Sequence, residues 1–459
     1  MLQLTSSINK YPARMSLLWY VGVILLGSAV LRLPACSANP EKVITWTDAL
    51  FTSTSATCVT GLVVRSTGHD FSTLGQVVIL LLIQLGGIGI MTVTTFIMFS
   101  WGEERAGLRE RALLFETLGA DPGTDLRWVL RNVILMTFSF EGIGFALLAV
   151  RNAMDMPLGS ALWHALFHSV SAFCNAGFAL NDDSFVRYQA DPLVSLTLCG
   201  LIIAGGLGFP VILDLWRNRR FFRDDYWRRL RLHSKMMLIG TAGLLVFGTL
   251  AFLVLERSDV LEELSWRSRL LVAFFHSVTT RTAGFNTVDV ASLTNATLCV
   301  TMLLMMIGAG ACSTGGGFKV STFVTLVVRA WWSMRGHRQV NVFRRTIPEE
   351  AFDRAIVTAF LFAVVLVAGL TSLLALEQAS VPHRQTSGIF LDAAFEVTSA
   401  LGTVGLSTGI TPHLTLGGRF VIMALMLLGR LGPISVFVAI SRSERVEPIA
   451  MPEEQPLIG

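Results

Sequence analysis

The chain has 459 residues, of which 53% are hydrophobic and only 15% are charged, and its mean hydropathy is +0.61. Soluble domains contain about 25% charged residues, so this composition excludes an ordinary soluble protein, while the net charge of +4 alone indicates no class of partner. Apolar runs of roughly 20 residues, the length that crosses a bilayer, recur along the chain, and the alternation typical of a membrane barrel is absent. We therefore predict an all-α polytopic membrane protein.

The N-terminal part of the chain imitates a secretion signal. Lys10 and Arg14 precede an apolar run over residues 16–33, and the sequence LPACSA follows it. Cleaved signals and lipoprotein signals have this arrangement. We nevertheless expect the run to be retained as the first membrane span, because the internal repeat described below requires it.

Seven further apolar segments follow, and basic residues concentrate between pairs of them. The apolar segments cover residues 74–101, 129–150, 193–216, 236–255, 298–331, 356–376 and 420–440. The basic segments cover residues 105–131, 217–235 and 329–345. A nucleic-acid-binding surface is the alternative for such basic runs, but basic loops beside apolar spans mark the cytoplasmic side of a membrane. We therefore predict cytoplasmic termini and no nucleic-acid partner.

A Ser/Thr-rich segment occurs four times, each time between two apolar spans. The copies are ALFTSTSATCVTGL from Ala49, ALFHSVSAFCNAGF from Ala165, AFFHSVTTRTAGF from Ala273 and AAFEVTSALGTVGL from Ala393. Each copy has phenylalanine at its third position and ends on a glycine followed by an apolar residue. The segments are too short to cross a bilayer, so we predict half-helices with return loops that enter from the outer face. Amphipathic helices in the membrane interface are the alternative.

The repeats predict the architecture of the whole chain. We expect four pseudo-symmetric helix–pore loop–helix repeats around one central pore, with eight spans and four re-entrant half-helices. The repeats cover residues 1–104, 105–218, 219–338 and 339–441, and residues 442–459 form a short cytoplasmic tail.

The repeated glycines suit a cation filter. Backbone carbonyls that converge on one point can replace the hydration shell of K+, and glycine permits both the positive φ and the close approach that this requires. The copies contain no ring of Asp or Glu, so K+ is the predicted ion at the filter carbonyls and Na+ its competitor. The predicted filter residues are Cys58, Val59, Thr60, Gly61, Asn175, Ala176, Gly177, Thr282, Ala283, Gly284, Thr403, Val404 and Gly405.

A glycine-rich stretch, GAGACSTGGGFK, interrupts the second span of the third repeat at residues 308–319. So many glycines disfavour a helix, and irregular backbone at membrane depth is tolerated only where it is buried in protein or lines a cavity. A phosphate-binding loop is the alternative, but the pattern GxxxxGK[ST] is not matched. We predict a gate below the filter, formed by Gly308, Gly310, Gly315, Gly316, Gly317 and Lys319 together with Arg430.

Arg430 stands in mid-span, where the other repeats have Gly87, Gly206 and Ala309. An arginine at that depth is costly and indicates a functional site. Three roles are open: pairing with a buried acid such as Glu141, holding the gating loop, or placing a positive charge in the conduction path. The glycine pairs of the first two repeats, LGGIG and AGGLG, predict close packing between helices.

The other polar residues give little support to an enzyme. The six cysteines lack the spacing of a metal site or redox pair, and we interpret the equivalent residues His168 and His276 as structural. Asp48 and Asp392, at matching positions of copies one and four, either attract cations or interact with the half-helix N-termini.

Taken together, the four filter glycines, GAGACSTGGGFKVST and TRTAGFN resemble the Trk/Ktr/HKT potassium transporters, most closely the membrane subunits of bacterial Ktr systems, over residues 16–440. The resemblance implies K+ uptake across the cytoplasmic (inner) membrane, Na+ as an activator and no organic cofactor. It also implies a homodimer and a cytoplasmic KtrA-like ring whose nucleotide-binding domains regulate the gate. Serine replaces the first filter glycine in sodium-permeable HKT proteins, so Gly61 favours K+. Sodium- or proton-coupled symport and a less selective Na+/K+ transporter are the alternatives.

Overall fold

The computed structural model describes residues 12–39, 44–100, 126–218, 226–337, 339–378, 382 and 388–433. Its helices, in chain order, are α1 (Pro12–Leu31), α2 (Trp46–Thr57), α3 (Thr73–Ser100), α4 (Leu126–Asn152), α5 (Leu158–Phe173), α6 (Pro192–Leu207), α7 (Phe209–Arg217), α8 (Tyr226–Arg229), α9 (Leu232–Leu255), α10 (Trp266–Thr279), α11 (Asn295–Met306), α12 (Val320–Met334), α13 (Glu349–Gln378), α14 (Ile389–Gly402) and α15 (Leu416–Leu431). A two-stranded antiparallel hairpin, β1 (Asn341–Val342) and β2 (Arg345–Thr346), joins α12 to α13. The prediction of a mostly helical chain is confirmed.

Among the described residues, four helices are long and apolar enough to cross a membrane. The qualifying segments are Arg14–Leu31 in α1, Trp128–Asn152 in α4, Leu232–Leu255 in α9 and Glu349–Gln378 in α13. They coincide with the first predicted span of each repeat. Helices α6 and α7 together are also long and apolar enough to cross a membrane, but they are bent by 96° relative to each other. The predicted tail and the last residues of the predicted span 420–440 lie outside the described residues.

The bend between α6 and α7 divides the predicted span over residues 193–216 into two helices. Gly208 has a φ of +92°, and Pro210 lacks the N–H group that a continuous helix requires at that point. The N–H group of Phe209 donates instead to the carbonyl of Cys312, at 3.0 Å. Because a methyl group at residue 208 would lie 2.4 Å from the Ala311 carbonyl oxygen, the bend is closely packed against the segment that follows α11.

The predicted interruption of the third repeat is present. Helix α11 ends at Met306 and α12 begins at Val320; we call residues 307–319 the central loop. Ile307 and Phe318 form an isolated bridge, and the N–H group of Gly308 donates to the Phe318 carbonyl at 2.8 Å. The two ends of the central loop are therefore joined to each other at a neck.

The repeated phenylalanines anchor the short helices in the protein core. All four are at most 1% exposed, and they are Phe51 in α2, Phe167 in α5, Phe275 in α10 and Phe395 in α14. Burial of one such side chain contributes about 1.5–3 kcal/mol. The lipid-facing sides of the long helices show the reverse pattern: Leu26 of α1, for example, is 69% exposed, as expected where lipid rather than protein covers an apolar side chain.

Candidate functional site

The four repeated segments converge on a closed ring of glycines. A methyl group added to any of these glycines would lie 3.0 to 3.2 Å from the Cα atom of the next one, and the glycine after the fourth is the first. It would also lie less than 3.0 Å from a carbonyl oxygen of the neighbouring copy. The members, in order, are Gly61, Gly177, Gly284 and Gly405. The structure thus brings together the glycines that the sequence singles out, at a separation that leaves no room for a Cβ atom.

The backbone of the ring is left-handed at two positions in every copy. The glycines have φ values from +71° to +95°. The residues two positions earlier have φ values from +50° to +69°, and they are Val59, Asn175, Thr282 and Thr403. Three of these are β-branched, a type that rarely adopts positive φ. Sequence reasoning assigned the unusual backbone angles to the glycines and missed these four positions, because β-branched residues argue against them.

The change of hand begins at the end of the short helix. Cys58, just before the first left-handed residue, is right-handed with φ −79° and ψ −4°, and Cys174 is similar. Where right-handed and left-handed residues alternate, successive N–H groups point to one side of the chain, which leaves the carbonyl oxygens on the other side. In the first two copies the chain therefore passes from a right-handed to a left-handed residue where the ring segment begins.

A hydroxyl side chain near the end of each short helix holds the segment that follows. Ser55 and Ser399 accept hydrogen bonds from the N–H groups of Gly61 and Gly405, at 3.1 and 3.0 Å. In the other two copies the hydroxyl donates to the carbonyl after the glycine: Ser171 to Phe178 at 2.8 Å and Thr279 to Phe285 at 2.6 Å. The Ser/Thr-rich composition of the copies thus has a local purpose, which is to fix the strained backbone.

The side chains of the predicted filter residues are buried in the protein. None of the non-glycine residues has exposed surface: Cys58, Val59, Thr60, Asn175, Ala176, Thr282, Ala283, Thr403 and Val404. Their side chains fill the space behind the segments. The backbone of these residues is enclosed in the protein together with their side chains.

A second repeated contact fixes the short helices to the long ones. In three copies a serine hydroxyl donates to a carbonyl of the preceding long helix: Ser53 to Ile24 at 2.8 Å, Ser169 to Glu141 at 2.6 Å and Ser277 to Leu245 at 2.8 Å. A glycine of the long helix lies beside each serine. Sequence reasoning missed this contact, although the glycines recur at similar distances before the ring glycines.

The central loop packs directly against the ring segments. The N–H group of Gly316 donates to Thr403 Oγ1 at 3.1 Å. A methyl group on Gly315 would overlap the hydroxyl of Thr282, and one on Gly308 would lie 3.3 Å from the Thr282 methyl. The predicted gate residues are thus placed beside the predicted filter, next to its third and fourth copies.

Neighbouring helices hold the central loop through their glycine pairs. The N–H groups of Gly310 and Thr314 donate to Gly206 and Gly205 at 2.8 and 3.2 Å, and that of Gly317 donates to Gly429 at 3.2 Å. The glycine pair of α3 has a different role, because Gly86 lies against the end of α2 and Gly87 against Cys174. Close packing at both glycine pairs agrees with the sequence interpretation.

Arg430 joins the central loop to two other parts of the chain. Its guanidinium donates to the Thr314 carbonyl in the loop, to the Gly86 carbonyl and, at 3.2 Å, to the Tyr20 hydroxyl. The proposed pairing with Glu141 is wrong: the Glu141 carboxylate accepts a hydrogen bond from Gln84 at 3.0 Å instead. Backbone carbonyls satisfy the arginine in place of an acid, as happens within membranes.

Two further cationic side chains donate to carbonyl groups of the central loop, and one of them belongs to the last residue of the loop. Lys319 Nζ donates to the carbonyls of Gly315 and Gly316, at 2.7 and 3.4 Å. Arg281, which precedes the left-handed Thr282, donates to the Gly308 carbonyl at 2.9 Å. Within the described residues, neither these two side chains nor Arg430 forms an ion pair with a carboxylate.

The remaining singled-out residues lie behind or above the ring. His168 accepts from the Leu180 N–H group at 3.1 Å and His276 contacts the Thr301 hydroxyl at 3.0 Å, as structural roles require. The Asp48 carboxylate is 5% exposed and bound by Arg65 and Arg419, at 2.9 and 2.8 Å. Asp392 is half-buried. Because both of its oxygens are paired, Asp48 is poorly placed to attract cations.

Comparison with known proteins agrees with this geometry. Residues 23–447 match the family model TrkH, described as a cation transport protein. The Ktr system potassium uptake protein B of Vibrio alginolyticus is 38% identical over 97% of this chain and 94% of its own length. The potassium/sodium uptake protein NtpJ of Enterococcus hirae is 36% identical over 95% of each chain. The crystal structure of the potassium transporter TrkH from Vibrio parahaemolyticus has a TM-score of 0.70 at 19% identity and covers 93% of this chain and 84% of that one, which shows a shared fold.

Proposed function

The chain belongs to the TrkH family of cation transport proteins, and from that premise we propose that it takes up potassium ions across a membrane. Membership confirms the resemblance found in the motifs, and a family of transport proteins agrees with the prediction that the chain is not an enzyme. The observation that carries the proposal is the closed ring of Gly61, Gly177, Gly284 and Gly405.

The ring and its flanking segments are the proposed selectivity filter. Four segments meet there, each with two left-handed residues, and a backbone carbonyl oxygen of the neighbouring copy lies against each ring glycine. We expect such oxygens to replace the water around an ion. A site of neutral oxygens suits K+, whereas Mg2+ gives up its water reluctantly.

The ring also supports the proposed architecture of four helix–pore loop–helix repeats around one pore. Each repeat contributes one long apolar helix, one short helix and one ring glycine. In the second and third repeats the following span is broken, at Gly208 and at the central loop. We place both termini in the cytoplasm, because the basic segments that connect the repeats then lie on that side, and we propose the cell inner membrane as the location.

The central loop is the proposed gate. It contacts the third and fourth filter copies through Gly315 and Gly316 and is held by Arg430 and Lys319. Backbone that lies next to the filter has to move before an ion can pass on that side. The hydrogen bonds from cationic side chains to the loop carbonyls stabilise the closed arrangement.

The family relationship also supports an assembly of this chain with partner subunits. The relative from Vibrio alginolyticus is named as protein B of a Ktr system, which favours a regulatory partner. We propose a cytoplasmic, KtrA-like ring of nucleotide-binding domains, a homodimer of the present chain and activation by Na+, with no organic cofactor in this chain.

A less selective transporter of Na+ and K+ is the second candidate. The relative from Enterococcus hirae is named as a potassium/sodium uptake protein, so sodium permeation is compatible with this fold. Coupled symport has weaker support: Glu141 is buried, but its side-chain partners are the amide of Gln84 and the thiol of Cys174, neither of which is a carboxylate or a histidine.

The test is ion uptake by the purified chain in liposomes under K+, Rb+ or Na+ gradients. We expect uptake of K+ and Rb+ to exceed that of Na+, and Gly→Ser at each ring position to reduce this preference, because the added side chain overlaps the next segment. Gly142→Ser is the matched control, since Gly142 has no atom within 4 Å of the added Cβ. Equal uptake of Na+ and K+ by the unmutated chain would favour the less selective transporter.

A further inference from the structure

Arg281 occupies an unusual position in the third ring segment. The equivalent residues of the other copies are Cys58, Cys174 and Gly402, all small. Arg281 is 7% exposed, and its Nη2 donates to the Gly308 carbonyl at 2.9 Å. Its Nη1 is buried without a hydrogen-bond partner among the described residues. Neither the ring geometry nor the proposed gate, as derived above, requires an arginine here.

A buried guanidinium without a carboxylate is expensive. Arginine remains charged under all ordinary conditions, and an unsatisfied buried donor carries its full desolvation penalty. Three of the four copies fold with a small side chain at this position. Packing of the ring segment alone therefore does not account for the residue, and its contact with the central loop is the specific interaction that it adds.

That contact joins two structures that are otherwise distinct. Gly308 is at the neck of the central loop, where its N–H group donates to Phe318. Thr282, the residue after Arg281, has a φ of +69° and lies against both Gly308 and Gly315. A strained residue of this kind persists only where its surroundings hold it. In the third copy those surroundings include the loop itself.

We propose that Arg281 is a positioning residue that ties the third filter segment to the neck of the central loop, so that the neck holds this segment in its place in the ring. This inference rests on the proposed function. Loss of the bond to Gly308 removes one of the contacts that hold the third segment, and this segment then relaxes away from the ring. Ion selectivity thereby depends on one hydrogen bond between the filter and the neck of the loop.

The test compares Arg281→Met with Arg430→Met in liposomes, with K+ and Na+ uptake measured in parallel. Arg430 holds the loop at Thr314, and none of its hydrogen bonds among the described residues involves the third filter segment. Its replacement leaves the bond between Arg281 and Gly308 in place, so it is the matched control. We expect Arg281→Met to lower the K+/Na+ uptake ratio about tenfold, the value of one charge-assisted hydrogen bond. Arg430→Met raises uptake of both ions and leaves their ratio within about twofold of the unmutated value, because its lost bond contributes nothing to selectivity. Arg281→Lys, which keeps one donor, has an intermediate ratio.

A second measurement covers variants that do not conduct. Ions that bind the folded chain raise its melting temperature, so the excess stabilisation by K+ over Na+ in detergent reports the filter directly. Arg281→Met is expected to lose this excess and Arg430→Met to keep it. An unchanged K+/Na+ uptake ratio in Arg281→Met would overturn the role of Arg281. If Arg281→Met does not conduct, an unchanged excess stabilisation by K+ over Na+ would overturn it. Failure of the proposed function is distinguishable, because it appears as absent or unselective uptake by the unmutated chain.

Discussion

Replacement of Arg430 by alanine tests the proposed gate most directly. The guanidinium has three acceptors, but only the Thr314 carbonyl belongs to the central loop; the others are the Gly86 carbonyl and the Tyr20 hydroxyl. The variant therefore removes one charge-assisted hydrogen bond between the loop and its surroundings. Such a bond contributes about 1.5–3 kcal/mol. Because about 1.4 kcal/mol corresponds to a factor of ten, we expect the ratio of open to closed loop to rise roughly 10- to 100-fold.

The assay is K+ uptake into liposomes by Arg430→Ala, with folding checked by size-exclusion chromatography. Tyr20→Phe is the matched control, because it keeps the guanidinium and its bond to Thr314 and removes one neutral acceptor. The bond to Tyr20 does not involve the central loop, so its loss changes the balance between open and closed loop little, and its effect on uptake is several times smaller. Unchanged uptake by folded Arg430→Ala would refute the reasoning. An equal increase in Tyr20→Phe would also contradict it, since the loop bond would then not be the cause.

Two further predictions concern the supports of the ring. Ser399→Ala leaves the N–H group of Gly405 without its acceptor, which costs about 1–3 kcal/mol. We therefore expect the melting temperature in K+ to fall. Thr398→Ala is the control and has a smaller effect, because the Thr398 hydroxyl bonds within its own helix. Asp48→Asn removes both ion pairs and leaves Arg419 half-buried without a counter-charge, so we expect a loss of about 2 kcal/mol in a thermal melt. Arg65→Gln breaks only the more exposed pair and loses less than about 1 kcal/mol; equal losses in the two variants would contradict this assignment.

The sequence predicted those positions of the site at which the structure requires a glycine. Gly61, Gly177, Gly284 and Gly405 were identifiable because a required glycine leaves a visible mark wherever a Cβ atom has no room. The left-handed Val59, Thr282 and Thr403 left no such mark. Their conformation is imposed by hydrogen bonds from the short helices and by neighbouring copies, and intrinsic preference argues for the opposite choice.

Two details differ from the sequence prediction: the span that contains Gly208 and the proposed pairing of Arg430 with Glu141. The sequence GLGFP contains both a glycine and a proline, which together end a helix, but the glycines were interpreted only as packing residues, and the bend at Gly208 was missed. Arg430 and Glu141 both lie within predicted spans. The position of a residue along a span, however, does not give the direction in which its side chain points. The actual partners of Arg430 include two backbone carbonyls, and every residue has one, so no sequence pattern identifies them.

The closure of the ring joins the first and last copies, and this has a consequence for biosynthesis. Arg419 reaches back over 371 residues to Asp48, and Gly405 completes the contact with Gly61. A ribosome that adds about 5–20 residues per second needs roughly 20–70 s to make that stretch. Throughout this interval the nascent chain has an incomplete ring. A partly translated chain therefore lacks the contacts that close the ring, and these contacts form only after the fourth copy has been made.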